Sequence, residues 1–93
     1  MKDYEAIFII KPNLTEDANK KLLSQIESEI TKNGGSIANI ENMGKRNLAY
    51  IVKKNKEGYY SRIEFKAEPA KIEDLRKTYR LNEDIIKLSI ITK

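Results

Sequence analysis

The central segment of the chain, residues 36–67, reads "SIANIENMGKRNLAYIVKKNKEGYYSRIEFKA" and carries the clearest structural pattern. Its β-branched and aromatic residues fall into two runs, and residues 55–58 between them have turn-forming chemistry. We therefore predict two strands joined in a hairpin. The apolar alternation breaks early in the first run, so we expect a bulge near Asn39, with Gly44 as a second position for it.

A helix is predicted on each side of this hairpin. Before it, Thr15 can cap a helix that opens with two acidic residues and ends at Asn33, where two glycines follow. After it, Pro69 suits the first turn of a second helix, which Asn82 ends. Apolar residues recur at helical spacing in both segments: Ala18, Leu22, Leu23, Ile26 and Ile30 in the first, and Ile72, Leu75 and Tyr79 in the second.

Both ends of the chain, beyond the helices, are β-rich. The opening "DYEAIFII" is closed by Lys11-Pro12-Asn13, and residues 85–92 alternate in hydrophobicity. The order βαββαβ with right-handed crossovers predicts an α+β fold, the ferredoxin-like sandwich, in which a four-stranded antiparallel sheet carries both helices on one face. We expect residues 1–93 to form a single domain of this kind.

Parity along the strands assigns each side chain to one face of the sheet. The helix-facing set is Ala6, Phe8, Ile10, Ile63 and Phe65, with Ile86, Leu88 and Ile90 from the last strand. The opposite face, called the open face below, has no helix to cover it. We predict that it docks a protein partner through a mixed apolar and charged surface formed by Ile7, Ile9, Tyr60, Arg62, Lys87 and Ile91. The alternative is ordinary surface on which apolar residues are merely scattered.

The overall composition suits an anionic partner and argues against most catalytic chemistry. The chain has 18 Lys and Arg against 14 Asp and Glu, a formal net charge of +4. It has no cysteine and no histidine, so thiol and imidazole nucleophiles, bases and metal ligands are missing. The apolar opening is too short for a signal peptide or membrane span. We expect a cytoplasmic protein with no metal, no cofactor and no membrane association.

The hairpin concentrates positive charge. Residues 44–60 hold five cations and one acid, so we predict a nucleic-acid surface formed by Lys45, Arg46, Lys53, Lys54 and Lys56. Arg46 is the preferred contact because its planar guanidinium can hold two phosphate oxygens. The alternative for Arg46 is a cross-strand ion pair with Glu41 or Glu57. The lysines could instead protect an edge strand from aggregation.

Three segments resemble the bacterial small-subunit ribosomal protein six family: "MKDYEAIFIIKPNL", "MGKRNLAYIVKKNKEGYY" and "YRLNEDIIKLSIITK". The resemblance implies a non-catalytic RNA-binding protein of the cytoplasmic small ribosomal subunit, without a small-molecule substrate. It also implies binding to the central domain of small-subunit ribosomal RNA, together with small-subunit ribosomal protein eighteen as a heterodimer. Through the resemblance, Lys2 and Tyr4 become further RNA-binding candidates. Several family members carry a tail after the last strand, whereas this sequence stops at Lys93, so we expect the open face and hairpin to hold the partner themselves.

Three other functional classes are compatible with the predicted topology. An RRM-like module would bind single-stranded RNA by stacking bases on exposed aromatics of the third strand, but "KEGYYSRIEF" has Ser61 and Glu64 at those positions. A small-molecule regulatory domain that dimerises through sheet edges is compatible with the fold alone. An enzyme on this scaffold would need an anion-binding glycine loop that the sequence lacks.

Overall fold

The computed structural model describes the whole chain, residues 1–93, and its elements follow the expected order. They are β1 (Lys2–Ile10), α1 (Glu16–Lys32), β2 (Ser36–Val52), β3 (Asn55–Ala67), a 3₁₀ turn (Pro69–Lys71), α2 (Ile72–Arg80) and β4 (Ile85–Thr92). The strands form one antiparallel sheet in the order β2-β3-β1-β4. Buried residues of both helices pack against the same sheet face. The predicted ferredoxin-like α+β sandwich is confirmed.

The signals that begin and end α1 act as expected. The Oγ1 atom of Thr15 accepts a hydrogen bond from the amide of Ala18 at 3.1 Å, which satisfies one of the free N–H groups of the first turn. Asn33 is the C-cap, and its side-chain amide donates to the carbonyl of Glu29 at 2.8 Å. These side chains set the helix limits, while burial of Leu22, Ile26 and Ile30 holds α1 against the sheet.

Tyr79 of α2 joins three elements in the centre of the core. Its ring meets Phe8 of β1 edge-on at a centroid distance of 5.0 Å, and its hydroxyl donates to the carbonyl of Ile26 in α1 at 2.7 Å. Burial, with a smaller contribution from the charge of Glu29, raises the pKa of the Tyr79 hydroxyl far above its ordinary value, so it remains a donor at neutral pH.

The hairpin turn lies earlier than predicted. Val52 pairs with Asn55, and the two residues between them, Lys53 and Lys54, have positive φ angles of 48° and 66°. A two-residue turn of this left-handed kind matches the twist of the strands it joins. The amide of Asn55 supports it by donating to the carbonyl of Lys53 at 2.9 Å. Residues 55–58, predicted as the turn, belong to β3 instead.

Both predicted bulge positions in β2 are confirmed. The register with β3 shifts between Ile37 and Asn39, and again between Asn42 and Gly44. Gly44 has a φ of 82°, which a residue with a side chain adopts only under strain. The second bulge bends β2 where it leaves the body of the sheet.

A third irregularity, in β4, corrects the assignment of Ile86 to the helix face. The register shifts so that Ile85, not Ile86, stands opposite Ile10 and enters the helix-side core. Ile86 is buried but lies outside that core, and it approaches Gly58 together with Ile9 from the open face. Strand parity counts residues one by one, so a single extra residue reverses the assignment.

We expect Tyr79→Phe to lower the free energy of unfolding by about 1 kcal/mol, because it removes one buried hydrogen bond and keeps the ring. Urea denaturation followed by circular dichroism measures the change. Tyr50→Phe is the matched control, since the Tyr50 side chain is exposed and should leave the midpoint unchanged. Equal midpoints for Tyr79→Phe and the parent protein would mean that the Tyr79 hydroxyl does not stabilise the helix pair.

Candidate functional site

The β2–β3 hairpin projects beyond the rest of the sheet. β1 ends with Ile10 opposite Tyr59, while β2 and β3 continue past that pair to the turn. Residues 45–58 therefore form a two-stranded ribbon, called the distal hairpin below. The structure brings together on it five predicted cations, all exposed and none in an ion pair: Lys45, Arg46, Lys53, Lys54 and Lys56.

Arg46 stands opposite Gly58 near the base of the distal hairpin. Its Nε donates to the carbonyl of Met43 at 3.3 Å, which leaves the terminal nitrogens of the guanidinium unpaired. Of the two alternative cross-strand partners, Glu41 binds Arg62 instead, and Glu57 is in no ion pair. Arg46 is thus held at one nitrogen and free to bind a ligand with the other two.

The tyrosines of this region have different environments. The ring of Tyr59 is half-buried against the core, and the ammonium of Lys45 lies 5.8 Å from its centroid. Tyr50 is 65% exposed, and its hydroxyl accepts a hydrogen bond of 3.4 Å from the ammonium of Lys87 on β4. No sequence pattern indicates the Tyr50–Lys87 contact, because these residues lie on β2 and β4, the two outer strands of the sheet.

Lys2 and Tyr4 are not part of the distal hairpin. Lys2 pairs with Ala67 at the other end of β1, roughly 25 Å from Ile10 at about 3.3 Å per residue. Tyr4 is 6% exposed and stacks on Phe65 at a centroid distance of 5.7 Å. The even position of Tyr4 along β1 places its ring in the core, which leaves little of the side chain exposed for the predicted RNA contact. Lys2 is exposed, but the structure does not bring it near the other candidates.

The open face is built from three rows of residues that stand opposite one another across β3, β1 and β4. They are Tyr60, Ile9 and Lys87; Arg62, Ile7 and Ser89; and Glu64, Glu5 and Ile91. All six predicted partner-face residues therefore share one side of the sheet, as parity predicted.

Most charged groups on the open face are paired with one another, except Lys87, which hydrogen-bonds to Tyr50. Arg62 contacts Glu5 at 3.5 Å and also binds Glu41 across the β2–β3 pair. Glu64 binds the ammonium of Lys93 at 2.8 Å, and this hydrogen bond, opposed by desolvation and aided by the charges of Lys93 and Arg62, lowers the Glu64 pKa from its ordinary value. These pairs depend on strand register, so no spacing in the sequence indicates them.

Ile9 lies on the open face but is not accessible. It is 7% exposed, because the distal hairpin lies against it. Residues 48–51 have no ladder partners in β3, and Leu48, Ala49, Tyr50 and Val52 line an open pocket of about 90 Å³ together with Ile9, Tyr60 and Lys87. A Cβ at Gly58 would stand 2.5 Å from the Cγ2 of Ile9, so only glycine fits there. The expectation that Ile9 is exposed to a partner is wrong.

The remaining partner-face residues keep different amounts of accessible surface. Ile7, Tyr60 and Arg62 are half-buried, Lys87 is exposed, and Ile91 is 54% exposed. The accessible apolar surface is therefore centred on Ile7 and Ile91, away from the distal hairpin.

The structure has neither a metal-binding cluster of acidic side chains nor a membrane-spanning helix. No group of three or more Asp and Glu side chains is placed to hold a metal ion. None of the helices combines the length and the apolar character needed to cross a bilayer.

Comparison with known sequences gives one consistent family. The family model described as ribosomal protein S6 matches residues 3–92. Relatives named small ribosomal subunit protein bS6 include that of Helicobacter hepaticus, 50% identical over 91 residues, and that of Campylobacter concisus, 47% identical over 87 residues. These matches cover 98% and 94% of this chain but 66% and 63% of the relatives. The chain thus spans about two thirds of the length of the curated relatives it matches.

Solved structures agree with the sequence comparison. The 30S ribosomal protein S6 of Thermotoga maritima is similar with a TM-score of 0.94 and 32% identity, covering 99% of this chain and 87% of that one. The C-terminal domain of the MgtC protein from Mycobacterium tuberculosis is similar with a TM-score of 0.66 and 15% identity, covering 100% and 88%. At that identity the second likeness shows a shared fold only.

We expect Ile9→Lys to destabilise the protein by several kcal/mol, because it buries an ammonium with no partner under the distal hairpin. Ile91→Lys is the control: it places the same charge on the same face at an exposed position and should leave the melting temperature nearly unchanged. Thermal melts of both variants give the comparison. A native-like melt for Ile9→Lys would mean that the distal hairpin opens freely.

Proposed function

The chain belongs to the ribosomal protein S6 family of the small ribosomal subunit, and from this premise we propose that it binds the central domain of small-subunit ribosomal RNA jointly with small-subunit ribosomal protein eighteen. The proposed role is structural and non-catalytic. RNA is bound through the distal hairpin, and the protein partner is bound through the open face.

The observation that carries the RNA proposal is the group of five exposed, unpaired cations on the distal hairpin. Elsewhere the charges are often internally matched, as in the pairs of Lys11 with Asp84 and of Lys93 with Glu64. An unpaired cation loses no existing ion pair when it meets a phosphate, and five such cations lie together on the distal hairpin, which favours this surface for binding a polyanion. A ribbon that projects from the body can also enter a groove or junction of folded RNA.

Arg46 has the most specific proposed role. The contact to Met43 positions its guanidinium, and the two terminal nitrogens are available for two phosphate oxygens or for stacking on a base. Lys53 and Lys54 occupy the turn at the tip and act as point charges. Recognition of this kind reads the RNA backbone and shape rather than its sequence.

The open face suits a protein partner better than an RNA partner. Apart from Lys87, its carboxylates and cations neutralise one another, as in the pairing of Arg62 with Glu5 and Glu41. Between these pairs lie the apolar side chains of Ile7 and Ile91, which a complementary protein surface can cover. The charge pairs at the margin would then orient the partner without leaving a buried charge unpaired.

We expect the isolated protein to bind a central-domain RNA fragment weakly and salt-dependently, because the net charge of +4 is small. Adding protein eighteen should strengthen RNA binding by roughly 5–150-fold, the range typical of coupled sites, and RNA should strengthen the protein–protein contact by the same factor. Calorimetry at fixed salt, performed in both orders of addition, measures the coupling. RNA binding of unchanged strength in the presence of protein eighteen would contradict joint binding.

We expect Arg46→Ala to weaken RNA binding by roughly tenfold or more, because a charge-assisted bidentate contact is worth about 1.5–3 kcal/mol. Lys54→Ala should weaken it by only a few-fold, since a mobile exposed point charge contributes less. Both variants should melt like the parent protein, because both residues are exposed and outside ion pairs. Equal losses of RNA affinity in the two variants would mean that Arg46 contributes only its positive charge and makes no bidentate contact.

A further inference from the structure

The outer edge of β4 has the composition of a strand that pairs readily with another chain. The sheet order leaves β4 with a neighbour on one side only. Its sequence, "IIKLSIIT", is rich in β-branched residues, contains one charge and has no proline. Natural proteins generally protect such an edge, because its free N–H and C=O groups can template strand addition.

The pairing with β1 identifies which groups face outward. The amide of Lys93 donates to the carbonyl of Asp3 at 2.9 Å, so this pair exchanges ladder hydrogen bonds. Bonded and non-bonded pairs alternate along an antiparallel ladder. The main-chain groups of Leu88, Ile90 and Thr92 therefore point away from β1, toward the free edge.

Arg76 of α2 occupies one of these outward groups. Its Nη2 donates to the carbonyl of Ile90 at 3.0 Å, while its Nη1 binds the carboxylate of Glu73 at 2.9 Å. The side chain is 32% exposed, so a charged guanidinium stands at the edge, in the path of an approaching strand. It is the one ionic side chain that hydrogen-bonds to the main chain of this strand.

We propose that Arg76 keeps the β4 edge closed against β4 of a second copy of this chain. A strand can be added here only if Arg76 releases the Ile90 carbonyl and gives up its charge-assisted hydrogen bond. A second copy is the occupant that fits best, because antiparallel β4 strands centred on Leu88 place Lys87 opposite Ser89 and bring no like charges face to face. The proposal concerns the free chain and is independent of RNA binding.

The test is the oligomeric state of Arg76→Ala, measured by sedimentation velocity over a range of protein concentrations. We expect the parent protein to remain monomeric and the variant to self-associate at least roughly tenfold more tightly, since a charge-assisted hydrogen bond no longer opposes pairing. Arg80→Ala is the matched control, because Arg80 is an exposed cation of the same helix without an ion pair, and it should behave like the parent. If Arg76→Ala does not fold, Arg76→Met keeps the apolar stem and carries the same test.

A double variant locates the contact. Ser89→Lys added to Arg76→Ala sets two lysines opposite each other in the β4–β4 pair and should restore the monomer. Two outcomes would overturn the proposal. One is an Arg76 variant that stays monomeric at the highest concentration tested, and the other is a dimer that Ser89→Lys leaves intact.

Discussion

The pairing of β1 with β3, from Lys2 opposite Ala67 to Ile10 opposite Tyr59, is the constraint on which the other parts of the structure depend. This ladder runs for nine pairs without a bulge. Each paired residue therefore has a fixed orientation, either toward the helices or toward the open face. The helix side receives Phe8 and Phe65, against which both helices pack. The open side receives the ion pairs of Arg62 and Glu64. Without this register neither the core nor the charge-paired face would form.

The local features of the fold could be predicted from sequence because they depend on neighbouring residues. The cap at Thr15, the proline that opens the second helical segment and the bulges in β2 all follow from the chemistry of one or two side chains. The turn was placed wrongly because Lys53 and Lys54 adopt positive φ angles that lysine rarely shows, whereas the residues that favour turns lie further on in β3.

The candidate site was predictable only in part, because its accessibility depends on contacts distant in sequence. The cations of the distal hairpin were found from charge alone, and the strand rows of the open face from parity. Ile9 is buried beside Leu48, Ala49, Tyr50 and Val52 of β2, and Glu41, one of the two carboxylates considered as partners of Arg46, binds Arg62 instead. For Tyr4, the family resemblance suggested an RNA contact, whereas the parity of β1 places its side chain on the helix-facing side of the sheet, where it is 6% exposed.

The position of β1 at the centre of the sheet has a consequence for the order of folding during synthesis. β1 is made before both of its neighbours, β3 and β4, and it is separated from β3 by α1 and β2. At roughly 5–20 residues per second, β1 waits for seconds with its main-chain groups unpaired, and one side stays open until residues 85–92 have emerged. The α1 helix and the β2–β3 hairpin can form earlier from local contacts, whereas the core around Phe8 closes only after β4 has been made. Until β3 and β4 have formed, the main-chain groups along both sides of the nascent β1 strand can pair with other chains.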